Sequence, residues 1–326
     1  MYKKPRLLVV GSFVMDLIVS TGRVPASGET VIDGLSFTTA PGGKGANQAV
    51  QAARLGAQVT MIGKVGKDMF GDQLLSSVRA AGVDTASVLI DEKTASGIGN
   101  IILEVKPDNT VENRIVVVPG ANMKLTAGEI GFISSLIPQY DMLMLELEIP
   151  MEVNEAAASY AFEKGIPVML NPAPAAKLSD SLLSKLTFIS PNEHEAAELT
   201  GVRIKKIGDT VDMDTVRAAA EVLLGRGVKN VIITLGECGA AYMNRDRFIY
   251  RPCVEGVEAV DPTAAGDSFT GAFCTGICMG LSEERALEFA GFAAALTVSG
   301  MGAQPSLPGL DEVKRLMEVK GCLQNG

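Results

Sequence analysis

The chain has 326 residues, of which 47% are hydrophobic and 21% charged, so it can bury a full core and lacks the composition of a disordered protein. Its formal net charge is -9 and no run of lysine and arginine occurs, which excludes a broad surface that attracts nucleic-acid phosphates. No apolar stretch reaches membrane-spanning length. We expect one large domain over residues 1–326, with no nucleic-acid and no membrane partner.

The cysteines favour a reducing compartment. They are odd in number and lack the paired C-x-x-C spacing of zinc or thioredoxin-like sites. They are Cys238, Cys253, Cys274, Cys278 and Cys322. The short apolar run near the N-terminus is followed by Asp16 where a signal peptide needs small residues. We therefore expect reduced thiols in a cytoplasmic protein.

Along the chain, apolar runs rich in β-branched residues alternate with segments of helical periodicity. The predicted core strands are 6–11, 59–63, 141–146, 167–171, 187–190 and 230–236. The predicted helices are 44–55, 71–81, 126–137, 151–164, 192–200, 213–226, 267–280 and 283–299. This alternation is typical of βαβ units and predicts an α/β fold, with a mainly parallel central sheet covered by helices on both faces.

Two stretches, 17–39 and 95–118, read as short alternating strands with turn residues between them. They predict a small β appendage built from about 12–40 and 95–119. Such an appendage could act as a lid that closes over a substrate and excludes water. A pair of ordinary hairpins is equally compatible with the periodicity.

The first strand runs into Gly11-Ser12-Phe13-Val14-Met15-Asp16. Neither the G-x-G-x-x-G fingerprint of dinucleotide-binding folds nor the P-loop motif occurs there or elsewhere in the chain, which disfavours a nicotinamide dehydrogenase. Asp16 follows a buried strand at the edge where open α/β sheets bind ligands, and its carboxylate could accept hydrogen bonds from two adjacent sugar hydroxyls. As an isolated residue, Asp16 would more often be a turn cap.

A second segment, Pro41-Gly42-Gly43-Lys44-Gly45-Ala46-Asn47-Gln48-Ala49, leads into an alanine-rich helix. Paired glycines let the backbone approach a ligand closely, and the helix N-terminus offers unpaired N–H groups. Glycine turns before helices are common. A lysine and an asparagine on one side of that first turn are harder to explain by capping alone, and they favour a ligand site.

The third segment is Asp261-Pro262-Thr263-Ala264-Ala265-Gly266-Asp267-Ser268-Phe269-Thr270-Gly271-Ala272-Phe273. Its small residues allow successive N–H groups to converge into an anion hole, and the dipole of the following helix adds positive potential. A transferring phosphoryl group would suit that hole. An aspartate at its mouth opposes phosphate binding unless it touches the nucleophile, which indicates Asp267 as a base. The alternative is that Asp267 is a simple N-cap.

Together these segments resemble the ribokinase branch of the PfkB carbohydrate kinase family, nearly from end to end. GGKGANQAV resembles the first family motif, and DPTAAGDSFTGAF resembles the second. Further similarity is found in Glu148 of LELEIP, the NPAPA turn at 171–175, the Asn192-x-x-Glu195 pair, 234–239 and 300–306.

The resemblance implies a three-layer α/β/α sandwich with a small β lid. It also implies a phosphotransferase with an alcohol acceptor, which moves the γ-phosphate of ATP to the primary (C5) hydroxyl of a pentose, most simply ribose. Asp267 would be the catalytic base, and the anion hole would comprise Ala264, Ala265, Gly266 and the N–H of Asp267. The implied sugar-binding residues are Asp16, Val14, Gly42, Gly43, Lys44, Asn47, Glu148 and Asp267.

The same resemblance implies ATP, Mg²⁺ and a monovalent cation, K⁺, as cofactors, and a homodimer formed through the lid. The implied ATP-binding residues are Asn192, Thr234, Leu235, Gly236, Glu237, Cys238, Gly239 and Gly266. Glu195 would hold Mg²⁺ through water, which suits a cation that keeps its hydration shell. The implied K⁺ site comprises Asp261, Thr263, Thr297, Gly300, Gly302 and Ser306.

One departure from the family pattern bears on the sugar. Ribokinases usually have asparagine two residues before the first aspartate, where this chain has Val14. Leaving a sugar hydroxyl unpaired in a closed pocket costs about 1–3 kcal/mol, which would favour a sugar that lacks this hydroxyl. A 2-deoxyribose kinase is therefore the main alternative. A nucleoside kinase and a non-catalytic sugar-binding regulator of the same fold also stay open.

Overall fold

The computed structural model describes residues 4–322 except 107, 109 and 209. The strands are β1 (Arg6–Val10), β2 (Val14–Thr21), β3 (Gly34–Gly42), β4 (Gln58–Ile62), β5 (Lys64–Gly66), β6 (Leu89–Asp91), β7 (Gly97–Val105), β8 (Val111–Val118), β9 (Met142–Leu145), β10 (Val168–Leu170), β11 (Phe188–Ile189), β12 (Lys206–Ile207), β13 (Thr210–Val211), β14 (Asn230–Thr234), β15 (Ala240–Met243) and β16 (Phe248–Arg251). The helices are α1 (Lys44–Arg54), α2 (Met69–Ala80), α3 (Ile133–Leu136), α4 (Met151–Glu163), α5 (Asp180–Leu183), α6 (Glu193–Thr200), α7 (Met213–Gly225), α8 (Ala265–Cys278), α9 (Glu283–Val298), α10 (Ala303–Ser306) and α11 (Leu310–Val319).

Eight strands form the central sheet in the order β16-β15-β14-β11-β10-β9-β1-β4. The six strands from β14 to β4 are parallel, and β15 and β16 extend the sheet antiparallel at one edge. β1 lies between β9 and β4, so its apolar run is covered on both faces, as expected of a central parallel strand. Its side chains alternate between two cores, with Leu7 and Val9 in one and Leu8 and Val10 in the other.

Helices cover both faces of this sheet. Residues of α1, α2, α8, α9 and α11 belong to one core, and residues of α3, α4, α5, α6 and α7 belong to the other. The predicted three-layer α/β/α architecture is therefore confirmed. Within the described part of the chain, no helix is both long enough and apolar enough to cross a bilayer.

A separate four-stranded sheet has the order β3-β2-β7-β8. Both stretches that broke the α/β rhythm in the sequence contribute to it. β2 and β7 are parallel at its centre, and the edge strands β3 and β8 run antiparallel to them. Every residue of β8 is exposed, so this sheet stands away from the body of the protein.

Asn122 joins the places where the chain passes between the body and the four-stranded sheet. Its Oδ1 accepts a hydrogen bond from Phe13 N at 2.9 Å, and its Nδ2 donates to Phe13 O at 2.7 Å and to Pro119 O at 3.0 Å. A Cβ at Gly97 would lie 2.5 Å from the same Nδ2. The entry to β2, the entry to β7 and the exit from β8 thus meet at one asparagine.

The predicted helix over 126–137 is wrong for most of its length. Only α3 is α-helical there, and it is followed by a 3-10 turn at Ile137–Gln139. Gly128 and Gly131 weaken helix formation in the first half of the segment, and Pro138 removes a backbone donor in the last turn. The short pairs β5–β6 and β12–β13 were not predicted either.

Candidate active site

Asp16 lies on β2 between two glycines of the neighbouring strands. It pairs with Ala40 on β3 and with Gly99 on β7. A Cβ at Gly99 would lie 2.5 Å from Asp16 Oδ1, and a Cβ at Gly42 would lie 2.9 Å from Oδ2, so larger residues would displace the carboxylate. Burial, together with the nearby charge of Glu148, raises the pKa of Asp16 to about 7.

Val14 lies two residues before Asp16 on the same strand, so both side chains point to the same face of the four-stranded sheet. Its side chain is 5% exposed. Its Cγ1 is 3.7 Å from the position that a Cβ of Gly99 would occupy. Val14 therefore presents an apolar wall beside the Asp16 carboxylate.

Gly43 allows α1 to begin against the turn that follows β1. It has φ 93°, and a Cβ there would lie 2.7 Å from Val14 N, so the position requires glycine on both counts. The next backbone amide, Lys44 N, donates to Glu148 Oε2 at 3.0 Å, and Ser12 Oγ donates to the same oxygen at 2.6 Å. The glycine pair thus brings the first turn of α1 onto the carboxylate that follows β9.

Lys44 is the cation at the centre of several carboxylates. Burial by itself would lower the pKa of Lys44, but the charges of Asp267, Glu148, Glu146 and Glu195 raise it above its ordinary value. The lysine is therefore a fixed positive charge that partly neutralises the surrounding acids.

Glu146 is a site carboxylate that sequence reasoning missed. It is fully buried and accepts hydrogen bonds from Ser12 N and Glu148 N, both at 2.7 Å. Burial, reinforced by the charge of Glu148, raises the pKa of Glu146 to about 8. The available signal was an acidic residue directly after the apolar strand β9, two positions before the predicted Glu148.

Asp267 lies in the first turn of α8 and is 6% exposed. Asn47 Nδ2 donates to its Oδ2 at 2.9 Å, Gln48 Nε2 to its Oδ1 at 3.1 Å, and Asn171 Nδ2 to Oδ1 at 3.5 Å. Burial raises the pKa of Asp267 against the opposing effects of Lys44 and of the Asn47 and Gln48 amides. Gln48 and Asn171 lie in two of the sequence motifs described above, but the sequence indicated no role for either.

The turn before α8 has an unusual backbone. Ala264, its N-cap residue, has φ 61°, a left-handed conformation that costs roughly 1–2 kcal/mol for a residue with a Cβ. Ala265 N donates to Pro262 O at 3.2 Å. No described residue accepts from the N–H of Gly266 or Asp267. At least two donors of the predicted anion hole are thus available, while that of Ala265 is already in use.

A cavity of about 230 Å³ lies between Lys44, the turn before α8, α6 and the end of β14, and Asp16 and Glu148 are not among its lining residues. Its lining residues are Lys44, Asn171, Ala173, Ser190, Asn192, Glu195, Thr234, Pro262, Ala264, Ala265, Gly266 and Asp267. The cavity thus brings the predicted base, the anion turn and the Asn192-x-x-Glu195 pair together. Ser190 Oγ is buried there without a hydrogen-bond partner among the described residues, and it had not been predicted.

Asn192 and Glu195 form a capping box at the start of α6. Glu195 N donates to Asn192 Oδ1 and Asn192 N donates to Glu195 Oε2, both at 2.8 Å. This arrangement fixes Glu195 and leaves its Oε1 without a hydrogen bond from the described residues. Burial raises the pKa of Glu195.

Of the predicted ATP-binding turn, only Thr234 lines this cavity. Leu235 and Cys238 are buried in the core, and the side chain of Glu237 is exposed beside Lys206. The remaining members, Gly236 and Gly239, have positive φ values and shape a 3-10 turn. These residues form the continuation of β14 outside the cavity, and their contact with a nucleotide stays a prediction.

The residues of the predicted K⁺ site lie in the loop before α8 and in the segment from the last turn of α9 to α10, and Asp261 links the two. Asp261 Oδ1 accepts from Thr263 N and its Oδ2 from Gly302 N, both at 2.9 Å. A Cβ at Gly300 would lie 2.9 Å from Ser306 Cβ. Thr297 is buried and donates to Ser268 Oγ at 2.7 Å, so its hydroxyl faces α8. Within the described ranges, no cluster of three histidine, cysteine or acidic residues suits a metal ion.

Comparisons with known proteins give the family. The model of the pfkB family carbohydrate kinases matches residues 4–310. The chain is 40% identical to ribokinase of Schizosaccharomyces pombe, with 96% of this chain and 98% of that protein covered, and 39% identical to ribokinase of Bacillus subtilis, with 95% and 99% covered. It is 36% identical to deoxyribokinase of Salmonella typhi, with 96% and 99% covered.

Comparison with solved structures supports the same family. Ribokinase of Arabidopsis thaliana, solved with ribose and ATP, superimposes with a TM-score of 0.87 at 30% identity, covering 97% of this chain and 99% of that one. Ribokinase of Thermotoga maritima gives a TM-score of 0.82 at 31% identity, with 96% and 99% covered. The chain therefore belongs to the pfkB family of carbohydrate kinases.

Proposed function

We propose that the protein transfers the γ-phosphoryl group of ATP to the primary (C5) hydroxyl of a pentose, with ribose as the first candidate. The observation that carries the proposal is the position of Asp267: a buried carboxylate lines the same cavity as Lys44 and the free N–H of Gly266. The names of the relatives and the ribose and ATP bound to the Arabidopsis ribokinase support this substrate pair.

The sugar would lie between the four-stranded sheet and the first turn of α1, with that sheet as its lid. No donor among the described residues reaches the Asp16 carboxylate, and Glu148 uses only Oε2 for Ser12 and Lys44. These free oxygens can accept hydrogen bonds from the ring hydroxyls. Hydrogen bonds of this kind between a charged and a neutral group contribute about 1.5–3 kcal/mol each.

In the reaction, the hydroxyl oxygen forms a bond to the γ-phosphorus, the bond from phosphorus to ADP breaks, and the hydroxyl proton passes to Asp267. A carboxyl group whose pKa is raised by burial is better suited to receive that proton than an exposed one. The N–H groups of Gly266 and Asp267 stabilise charge on the transferring phosphoryl oxygens. Because phosphoryl transfer is loose, positioning and charge stabilisation contribute more than base strength.

The residues present fit the implied cations. Glu195 offers a carboxylate oxygen without a protein partner, the donor type that Mg²⁺ prefers alongside water, and Asn192 holds it in place. Mg²⁺ bound there would neutralise charge on the nucleotide phosphates. K⁺ would be held by the Asp261 carboxylate, which is fixed by Thr263 N and Gly302 N. Backbone oxygens of Thr263, Thr297, Gly300, Gly302 and Ser306 would complete the site, because carbonyl oxygens can replace the hydration shell of this ion.

A 2-deoxyribose kinase is the second candidate, and Val14 is the observation that favours it. The apolar wall beside Asp16 cannot pair with a hydroxyl. Changing Val14 to asparagine should raise the ratio of kcat/KM for ribose over 2-deoxyribose by about tenfold, the equivalent of one recovered hydrogen bond. An unchanged ratio would remove Val14 from the specificity argument.

We also propose a cytoplasmic homodimer that forms through the four-stranded sheet. Its edge strands expose apolar side chains, namely Leu35, Phe37, Val116 and Val118. Exposed apolar patches and open strand edges on one element favour association with a second copy. Light scattering of wild type and of a Phe37→Lys, Val116→Lys double variant tests the dimer: a monomeric wild type would contradict it.

The main test is replacement of Asp267 with asparagine. We expect sugar binding measured by calorimetry to be largely retained while kcat falls by orders of magnitude. Asp311→Asn is the matched control, because Asp311 lies in the first turn of α11 and is exposed. A substrate panel of ribose, 2-deoxyribose, ribonucleosides and hexoses, with and without K⁺, identifies the sugar. Near-normal turnover of Asp267→Asn would show that the assigned base is wrong.

A further inference from the structure

The Asp267 carboxylate is held by side-chain amides from two directions. Asn47 and Gln48 reach it from α1, and Asn171 reaches it from the turn after β10. Oδ1 accepts from both Gln48 and Asn171, whereas Oδ2 accepts from Asn47 alone. Oδ2 is therefore the oxygen with a lone pair left for a proton.

Gln48 is brought to this position by the close packing of α1 on α8. A Cβ at Gly271 on α8 would lie 2.9 Å from Gln48 O and 3.0 Å from Gln51 Cβ, so the two helix backbones can approach only because residue 271 has no side chain. Gln48 is fully buried in this interface. Its Nε2 donates to Asp267 Oδ1 at 3.1 Å, which is the side chain's one hydrogen bond within the described chain.

The other end of the Gln48 amide is not satisfied. Its Oε1 is buried and accepts no hydrogen bond from the described residues, and the same holds for Oδ1 of Asn47. A buried acceptor without a donor destabilises the fold, so an apolar side chain of similar size would suit the helix interface better. The benefit of glutamine at position 48 therefore lies in its bond to Asp267.

We propose that Gln48 is a positioning residue for phosphoryl transfer: its amide occupies Oδ1 of Asp267 and directs Oδ2 to the sugar hydroxyl as the proton acceptor. Gln48 itself neither gains nor loses a proton, because the proton moves from the hydroxyl to Oδ2. The proposal rests on the proposed function and adds the atom that acts as base and the residue that selects it.

The charged groups that face Asp267 are Lys44 on α1, Glu148 after β9 and Glu195 on α6. α9, on the other side of α8, contributes the uncharged Thr297. Burial raises the pKa of Asp267, and the Gln48 amide acts against that rise by stabilising the ionised form. Removing the amide leaves all three charged groups in place, so a change in the pKa of Asp267 would be attributable to Gln48.

The test compares Gln48→Met, Gln48→Glu and a control, Gln51→Met. Gln51 is also fully buried between α1 and α8, but it accepts from Ser268 Oγ and donates to Pro308 O, with no contact to Asp267. We expect the acidic limb of kcat, at saturating sugar and MgATP, to move up by about one to two pH units in Gln48→Met. Gln48→Glu, with a second carboxylate beside Asp267, should move it further. The control should keep the wild-type limb.

Carbon-13 NMR titration of the Asp267 carboxyl gives a second readout that needs no turnover, and it should show the same order of pKa values. Melting temperatures should be unchanged or higher in Gln48→Met, because the variant loses an unpaired buried acceptor. A folded Gln48→Met with the wild-type limb and the wild-type carboxyl titration would overturn the proposal. If wild type phosphorylates none of the sugars, the proposed function fails, and the titration still decides whether Gln48 controls Asp267.

Discussion

Replacing Gly99 with alanine tests the placement of Asp16 in the sugar site. The new Cβ would lie 2.5 Å from Asp16 Oδ1, whereas a carbon and an oxygen in ordinary contact are about 3.3 Å apart. The carboxylate must therefore move by about 0.8 Å, the difference between these two distances. It cannot shift directly away, because Gly42 on the opposite strand lies close to Oδ2.

A displacement of this size is large for a binding group. A misplacement of about 1 Å can reduce a rate by about 100-fold, and one misaligned hydrogen bond to a charged group costs about 1.5–3 kcal/mol. We expect kcat/KM for the sugar to fall by about 10-fold to 100-fold. The melting temperature should change little, because the end of a short side chain can swing outward without moving the backbone.

Steady-state kinetics against sugar, at saturating ATP, measure the effect. Gly34→Ala is the matched control: Gly34 is also in a strand of the four-stranded sheet, and its new Cβ would meet only Ser20 O at 3.9 Å. A Gly99→Ala variant that folds like wild type and keeps kcat/KM for the sugar within twofold of the Gly34→Ala value would refute this placement of Asp16.

Three further predictions concern protonation and the junction between the two sheets. Because burial raises the pKa of Asp16 to about 7, kcat/KM for the sugar should increase as the pH rises through about 7. Asp16→Asn should abolish this increase. An increase that persists in the variant would belong to another titrating group. Glu146 has its pKa raised from 4.5 to about 8, so its contribution to stability is fully present below pH 4.5 and is lost as the pH rises through 8. The melting temperature of Glu146→Gln should accordingly vary less between about pH 5 and about pH 8 than that of wild type. An equal dependence of the two melting temperatures on pH would contradict the raised pKa of Glu146. Asn122→Ala removes the hydrogen bonds to Phe13 and should lower the free energy of unfolding by about 2–3 kcal/mol in urea titrations, whereas the exposed Asn113→Ala should leave it unchanged; equal effects of the two variants would mean that the junction contributes no stability.

The sequence was sufficient for the architecture and the family because their signals are local. Each buried parallel strand needs a continuous apolar run, and RLLVV of β1 shows one directly. Gly43 and the 261–273 segment lie where the chain turns into a helix or where two stretches of backbone come close together. The small residues that such places require can be recognised in the sequence without knowing what they contact. The predicted fold and family are confirmed. The predicted base Asp267 and the sugar-facing Asp16 and Glu148 all interact electrostatically with Lys44, although their roles stay predictions.

The details of the site depended on contacts that sequence patterns cannot show. The bond from Asn47 to Asp267 joins residues 220 positions apart, and Gln48, one residue further, was overlooked because nothing near it in sequence reveals what it faces. Glu146 resembled the end of a strand until its carboxylate was seen to accept two backbone amides. The predicted helix over 126–137 is a different case, because its failure has a local cause: Gly128 and Gly131 weaken helix formation despite the suitable periodicity.

What the sequence determined by itself was the alternation of the main strands and helices and the chemical type of each candidate group, since both follow from backbone preferences and side-chain properties of neighbouring residues. Only the tertiary structure decided which oxygen of Asp267 is left free, why Gly99 must lack a side chain, and which backbone amides of the anion turn have no acceptor. Those properties depend on differences of a few tenths of an ångström in the distances between elements far apart in the chain, and packing alone fixes these distances.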